Sequence, residues 1–550
     1  MGYSTVNGVA ADSQGNAYVT GETFAADYPQ TAGLPAGKAH TDVGSVSAGF
    51  FAKISPAGDK ILYGGGLTAT SRACSCCSSC FLSTLSTAGT GIAVDPAGNA
   101  YVAGNTNGTG LPTTAGVLQT DGIGAFVAKV NAPGTALSYL TMLGKTNYPD
   151  GPYSNPGNTI YGIAADAAGK AYLAGSTSDP DFPATTSAFQ PKLSIPASEL
   201  YPFLGPPADA FAAKLNATGS AMVWATFLGG TGDDRARTVA VDPTGNIWLS
   251  GTTGSSDFPA SSGFPGGGEF LAELNAGGSS LLSAARFPGD TVGTALTLDT
   301  NGVLHASGNT GLVSTFTPGQ SSAPRLFGVA NAAGGALAGR VAAGELISLY
   351  GLHFGVSVPG YGSFNGAGLL PTVLGGIGVT INDAAAPLLY VSDTQINAVA
   401  PDAVSYTGSA ALRVTLKSTA LPDFGVVVDT AIPEVFRRAD GSVAAINQDG
   451  TPNTEAHPAL GGAIVSIWAT GVGTVPGLAD GQMATAAQKN YCCIIRDVYN
   501  SQDITPSYAG AAPGMVNGIV QINFPATGSG NYALTSNGKS SEMFSIFVGQ

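Results

Sequence analysis

Four of the six cysteines fall within seven residues, CSCCSSC, at Cys74, Cys76, Cys77 and Cys80. Thiolates at that density could hold zinc or copper. They could equally be oxidised to disulfides in an oxidising compartment. C-x-C-C-x-x-C lacks the two separated knuckles of a structural zinc site, which favours disulfides within a long loop. Cys492 and Cys493 are neighbours, and adjacent residues on a strand point to opposite faces. Each could therefore bond on its own side, whereas a bond between the two needs a turn. All six are disulfide candidates; six cysteines permit fifteen pairings and spacing does not choose among them.

Carboxylates recur more regularly. Asp12, Asp95, Asp166, Asp242 and Asp299 are each followed three residues later by Gly15, Gly98, Gly169, Gly245 or Gly302. An Asp-x-x-Gly-Asn run resembles part of a calcium loop, but such a loop needs several oxygen ligands and a distal Glu. One carboxylate per run suits a turn cap instead, with the Asp accepting backbone N–H groups and the Gly adopting positive φ. NQDGTPN from Asn447 and TGDDRAR from Thr231 carry more oxygens and read as solvated loops. No G-x-S-x-G elbow occurs. His40, His305, His353 and His457 share no H-E-x-x-H or H-x-H spacing. ALTSNGKS from Ala533 ends like a phosphate loop without its first Gly, so a hairpin turn accounts for it. No catalytic residue, cofactor or metal site is expected.

The elements around these aspartates repeat. GVAADSQGNAYVTGET from Gly8, GIAVDPAGNAYVAGNT from Gly91, GIAADAAGKAYLAGST from Gly162, TVAVDPTGNIWLSGTT from Thr238 and ALTLDTNGVLHASGNT from Ala295 are versions of one segment. Apolar residues alternate on both sides of the Asp turn, which predicts a β-hairpin. A second hairpin alternates with the first: GFFAKISPAGDKILYGGGL from Gly49, then copies from Ala125, Ala210 and Glu269. A third shared piece, DYPQTAG, LPTTAGVLQ, DFPATTSAFQ or DFPASSGFP, lies between the hairpins. Two hairpins per cycle make four strands. Tandem four-stranded sheets, none able to bury its own faces, predict an all-β propeller of about five blades. Insertions fall at residues 68–89 and 145–157. In the fifth cycle the fourth strand is missing or is supplied by residues 325–329. A β-helix is the runner-up but wants shorter, more even coils.

The hairpin pair with its DFPxTxxAFQ loop resembles the SBBP β-propeller repeat of secreted bacterial proteins, over about residues 1–320. That resemblance implies no enzymatic activity. After TPGQSSAP the vocabulary changes. GELISLYGLHFGVSVPG from Gly344 is echoed by GAIVSIWATGVGTVPG from Gly462. PLLYVSDTQINAVAP, ending at Pro401, is echoed by PSYAGAAPGMVNGIVQINFP, ending at Pro525. The duplication predicts two Ig-like β-sandwiches. With GVANAA, LGGIGVTIN, AAINQDGTPN and HPALGGAIVSIWATGVG, this region resembles the Solibacter-type C-terminal domain of large secreted acidobacterial proteins. The expected division is 1–322 for the propeller, 323–433 for the first sandwich and 434–550 for the second.

Composition narrows the role. Charged residues are 10% of the 550 and the net charge is −14, against roughly 25% charged residues in ordinary soluble proteins. Nucleic acid and anionic lipid both need clustered Lys and Arg, so neither is an expected partner. No run of apolar residues is long enough for a spanning helix. MGYSTVNGVAAD shows no signal peptide, so residues upstream of Met1 are expected in a chain of secreted composition. We therefore expect an extracellular or cell-surface bacterial protein without catalysis, structural or binding, with self-association into an oligomer or filament among its roles. A glycan- or protein-binding adhesin using propeller loops is the alternative, with Tyr148, Tyr153, Tyr201 and Phe203 as candidate stacking residues. A propeller-based carbohydrate-active enzyme is the third reading.

Overall fold

The computed structural model describes residues 3–37, 46–72, 85–144, 158–195, 207–260, 262–263, 268–287, 295–299, 304–307, 313–316, 324–334, 339–404, 408–438, 440–489 and 493–549. Among them the chain is all β, with no helix and hence none long and apolar enough to cross a membrane.

Each repeat folds into one antiparallel sheet whose strands lie in chain order. The first contains Ser4–Ala11, Ala17–Thr23, Ala48–Ile54 and Ile61–Leu67. The second contains Thr87–Val94, Ala100–Thr106, Gly124–Val130 and Leu137–Met142. Asn158–Ala165, Ala171–Thr177, Asp209–Leu215 and Met222–Leu228 make the third. The fourth has Asp234–Val241, Ile247–Thr253, Gly268–Leu274 and Leu281–Phe287, with Ser262–Gly263 added in parallel at its edge. The fifth is described with three strands, Ala295–Leu298, Leu304–Ser307 and Val313–Phe316. Residues 325–329 do not complete it; Arg325–Asn331 pairs instead with Leu346–Leu352 in the next sheet.

A shared irregularity marks the repeat. In each of the first four sheets the register of the first strand slips by one residue, at Val6/Gly8, Gly89/Gly91, Ile160/Gly162 and Ala236/Thr238. Beside this bulge the second strand carries Gly21, Gly104, Gly175 or Gly251, paired across to Phe50, Phe126, Phe211 or Phe270. A Cβ on Gly104 would sit 2.3 Å from Ala88 O and 2.3 Å from the Phe126 ring. The glycine leaves room for the bulged carbonyl, and the aromatic ring covers the gap.

Successive sheets stack face to face. We call a sheet's leading face the one toward the preceding sheet and its trailing face the one toward the next. Tyr18, Phe51, Tyr63 and Leu67 on the first trailing face pack with Ile92, Val102, Phe126 and Ala128 on the second leading face. Equivalent seams join second to third, third to fourth and fourth to fifth. The loop after the second strand lays Tyr28, Phe182 or Phe258 on the third-strand aromatic, with ring centroids 4.8, 4.7 and 4.6 Å apart. It also bridges to the next sheet: Leu118 N–H donates to Gly219 O and Phe189 N–H to Gly278 O. Single sheets thus gain stability only as a stack.

Beyond residue 324 the sheets pair differently. One sheet runs Arg325–Asn331, Leu346–Leu352, Gln395–Val399, Leu388–Val391 and Gly360–Tyr361. A second includes Phe424–Asp429, Ala410–Leu416 and Ile377–Ile381. Val329, Leu349 and Ile396 from one share a core with Val379, Leu412 and Val426 from the other. Further along, Ile464–Thr470 and Val520–Pro525 in one sheet face Ile494–Asp497 and Gly530–Ser536 in another around Ile467, Ile522, Tyr532 and Leu534. The two Gln-Ile-Asn echoes occupy equivalent strands: Ile396 pairs with Leu349, Ile522 with Ile467. Gln395 Nε2 donates to Asn397 Oδ1 at 2.8 Å and Gln521 Nε2 to Asn523 Oδ1 at 2.9 Å.

Candidate functional site

The Asp turns of the stacked sheets gather at one end of the first strands. Asp95 shows the geometry. Its Oδ1 accepts from Ala97 N at 3.0 Å and Asn99 N at 2.9 Å, closing the turn. Its Oδ2 accepts from Tyr101 Oη at 2.8 Å. Lys129, from the third strand, lies 4.0 Å from that oxygen with its ammonium 4.8 Å from the Tyr101 ring centroid. Asp12 repeats this with Gln14 N, Asn16 N, Tyr18 and Lys53 at 3.3 Å. Asp166 does so with Lys170 N, Tyr172 and Lys214 at 4.0 Å.

Burial opposes ionisation of Asp12 and Asp95. The hydrogen bonds from Asn16 and Tyr18, and from Asn99 and Tyr101, outweigh it and hold both carboxyls below the usual range. Burial first, then the neighbouring Asp, pushes the Tyr18, Tyr101 and Tyr172 hydroxyls upward. The Lys214 ammonium is pulled down by burial and by Lys170. These groups are committed to one another.

The fourth copy departs. Asp242 Oδ1 still accepts from Thr244 N and Asn246 N, but Trp248 replaces the tyrosine and Glu273 the lysine. Asn246 and Ser283 donate to Glu273 instead. In the fifth, His305 Nε2 lies 3.3 Å from Asp299. Asp12 and Asp95 border one shared cavity, whereas Asp166, Asp242 and Asp299 do not line it.

Between the turns of the first three sheets lies a cavity of about 560 Å³. Its lining includes Ser13, Gln14, Pro96, Ala97, Ala132 and Ala167, beside the paired Asp12, Asp95 and Lys53. Those three charged residues also line it, each held by the partners given above. The opposite ends of the strands hold Asp209, which sequence reasoning missed, and Asp234, which opens a strand in the TGDDRAR segment and is fully buried rather than in a solvated loop; the two stand on either side of Gly229. Asp209 Oδ2 accepts from Ser194 N at 2.7 Å and Gln190 Nε2 at 3.1 Å. Burial chiefly, then the Asp234 and Asp257 carboxylates, pushes Asp209 up to about 7. The signal in the sequence is a departure from the repeat, because Ala48, Gly124 and Gly268 hold the equivalent position. Among the described residues no cluster of three His, Cys, Asp or Glu could hold a metal ion.

Cys74, Cys76, Cys77, Cys80 and Cys492 lie outside the described residues, as do Tyr148, Tyr153, Tyr201, Phe203 and His40. Cys493 packs half-buried against the second C-terminal core. The NQDGTPN segment is a turn in which Asp449 Oδ1 accepts from Thr451 N. The Asn537–Gly538 pair, both at positive φ, closes a hairpin in the ALTSNGKS segment.

The SBBP beta-propeller repeat matches residues 2–29, 85–112 and 223–259. The first two matches cover the opening hairpins of the first two sheets. The third runs from the last strand of the third sheet through the opening hairpin of the fourth. The chain carries beta-propeller repeats in these three segments. No curated protein sequence matches it. Among solved structures, it is similar to the surface glycan-binding protein PbSGBP-B from Prevotella bryantii at 14% identity and a TM-score of 0.14, covering 40% of this chain and 40% of that one. It is similar to the Dos1 propeller at 9% identity and a TM-score of 0.28, covering 72% and 93%. For the C-terminal WD40 domain of Sif2 the values are 9%, 0.25, 85% and 93%. The chain thus spans about 40% of the length of the Prevotella protein, and TM-scores this low carry no argument about fold or ligand.

Proposed function

We propose that this is a secreted, non-catalytic structural and binding protein of the bacterial cell surface or matrix, which takes its ligand at the Asp-turn end of the stack. One observation carries the reading. The carboxylates, tyrosines and lysines at this end are locked into Asp–Tyr–Lys sets around a cavity lined by Ser13, Gln14, Pro96 and Ala97 together with Asp12, Asp95 and Lys53. Because the charged groups of the lining, Asp12, Asp95 and Lys53, already hold partners within the protein, shape and hydrogen bonding are left to select the ligand, which favours an uncharged glycan. The low charge of the chain supports an extracellular setting. Residues 1–322 form the propeller. Residues 323–433 and 434–550 form two Ig-like sandwiches of the Solibacter type, a division supported by their separate cores and matched Gln-Ile-Asn strands.

The test is a glycan array with the intact chain and with Ala97→Trp, which fills the cavity from an exposed position. Capture of a neutral glycan that is lost in A97W, with an unchanged melting curve, is the expected result. Release of reducing ends from any arrayed glycan would overturn the non-catalytic reading.

A further inference from the structure

The first and last sheets of the stack each expose half of a seam. On the leading faces of the third and fourth sheets, Ile160 and Ala236 are 0% exposed, Ile163 9% and Val239 7%; Ile92 on the second is 8%. The matching residues of the first sheet are Val6 at 59% and Val9 at 70%. Ala17 and Val19 beside them are only half-buried, whereas Ala100, Val102, Ala171 and Leu173 are sealed. The outer part of the same face is closed by its own loop, where Tyr28 covers Phe50. What is bare is the inner pair of strands.

The fifth sheet shows the reciprocal gap. Its leading face is buried against the fourth through Leu304 and Ala306. On its trailing face His305, standing where Tyr18, Tyr101, Tyr172 and Trp248 are buried, keeps a side chain 31% exposed. Thr297 is exposed where Ala240 is buried. Ala295, also exposed, takes the place of Gly8, Gly91 and Gly162, small residues where one sheet's backbone approaches the next. A Cβ on Gly8 would stand 3.2 Å from Gly91 Cα, and one on Gly162 2.9 Å from Thr238 Cα.

These two surfaces are the two sides of an interface the molecule already builds four times. Among the described residues neither surface covers the other. We propose that the leading face of the first sheet, centred on Val6 and Val9, docks the trailing face of the fifth sheet of a second copy of this chain. The contact is heterologous, so the assembly keeps one free face of each kind, one at each end, and growth proceeds head to tail. The first-sheet strip of Val6 and Val9 is uncharged and gains by leaving water, and the Asp299 carboxylate at the rim of the fifth-sheet face is already held by His305. The interface stands apart from the cavity between the Asp turns, and it does not depend on any ligand there.

The experiment is light-scattering mass measurement of the intact chain over a concentration series, with reductant present so that thiols cannot link copies. Val9→Glu and Thr297→Glu alter exposed positions at the two ends, and both should melt like the wild type. The wild type should rise in mass with concentration. Each variant should need more than about tenfold higher concentration to associate, because a charge is buried in the seam and, in Val9→Glu, a seam valine is lost as well. An equimolar mixture of the two variants should then form a one-to-one dimer that grows no further, since each supplies the intact face the other lacks. A wild type that stays monomeric, association indifferent to V9E, or a mixture that remains monomeric would each overturn the proposal.

Discussion

Asp95 ties three neighbours with one carboxylate, and its loss leaves all three unpaired. Asp95→Ala strands Ala97 N, Asn99 N and the buried Tyr101 hydroxyl. An unsatisfied buried group costs about 1–3 kcal/mol, so the first-order expectation is a loss of about 3 kcal/mol in denaturant unfolding. The pH signs of two aspartates oppose each other. The Asp95 carboxyl is held low in the fold, so its contribution is full above the unfolded value near 4 and is lost as pH falls below it. Asp209 is pushed up to about 7. Its neutral form is the one the fold favours, so that contribution is full below about 4 and is lost as pH rises through 7. Asp209→Asn should therefore raise stability at pH 8, by about 4 kcal/mol at most, and flatten the slope between pH 5 and 8. Denaturant titrations at both pH values check it; a variant weaker than wild type at pH 8 would contradict the assignment.

At the scale of elements, the glycine beside the bulge is as demanding as any charged group. A Cβ on Gly175 would lie 2.2 Å from Thr159 O and 2.5 Å from the Phe211 ring. Gly175→Ala must straighten the first strand or expel the ring, and overpacking of this kind costs about 1–3 kcal/mol or more. A melting temperature lowered by several degrees is expected, and Phe211→Leu in the same background should recover part of it. The hairpins and their order were readable from the sequence because period-2 alternation and Asp-x-x-Gly turns are local signals. The bulge was not, since the skipped residue between Val6 and Gly8 looks like any other strand position. The Tyr28, Phe182 and Phe258 loops were recognised as repeated but not as fillers, because their partners lie on another strand. Asp209 escaped for the same reason: burial depends on the neighbouring sheet, which no local pattern encodes.

For the whole molecule, the joint between the C-terminal units sets how they unfold. Leu346, Leu370, Val399 and Val516 from both units form one small cluster, and Leu346 N–H donates to Thr470 Oγ1 at 2.7 Å. Residues 323–550, expressed alone, should show a single calorimetric transition, and Leu346→Ala should split or broaden it. The duplicated Gln-Ile-Asn strands announced this region, whereas the lodging of Arg325–Asn331 with Leu346–Leu352, rather than with the fifth sheet, could not be seen without the pairing. The filler loop has a consequence of another order. Because the third repeat carries its own ring in Phe182, its own recess at Gly175 and, through Phe189, the clamp to its successor, a stretch of one repeat length holds everything needed to join a copy of itself. Tandem duplication of such a stretch would lengthen the array without inventing a new contact, and deletion would shorten it without leaving a wound.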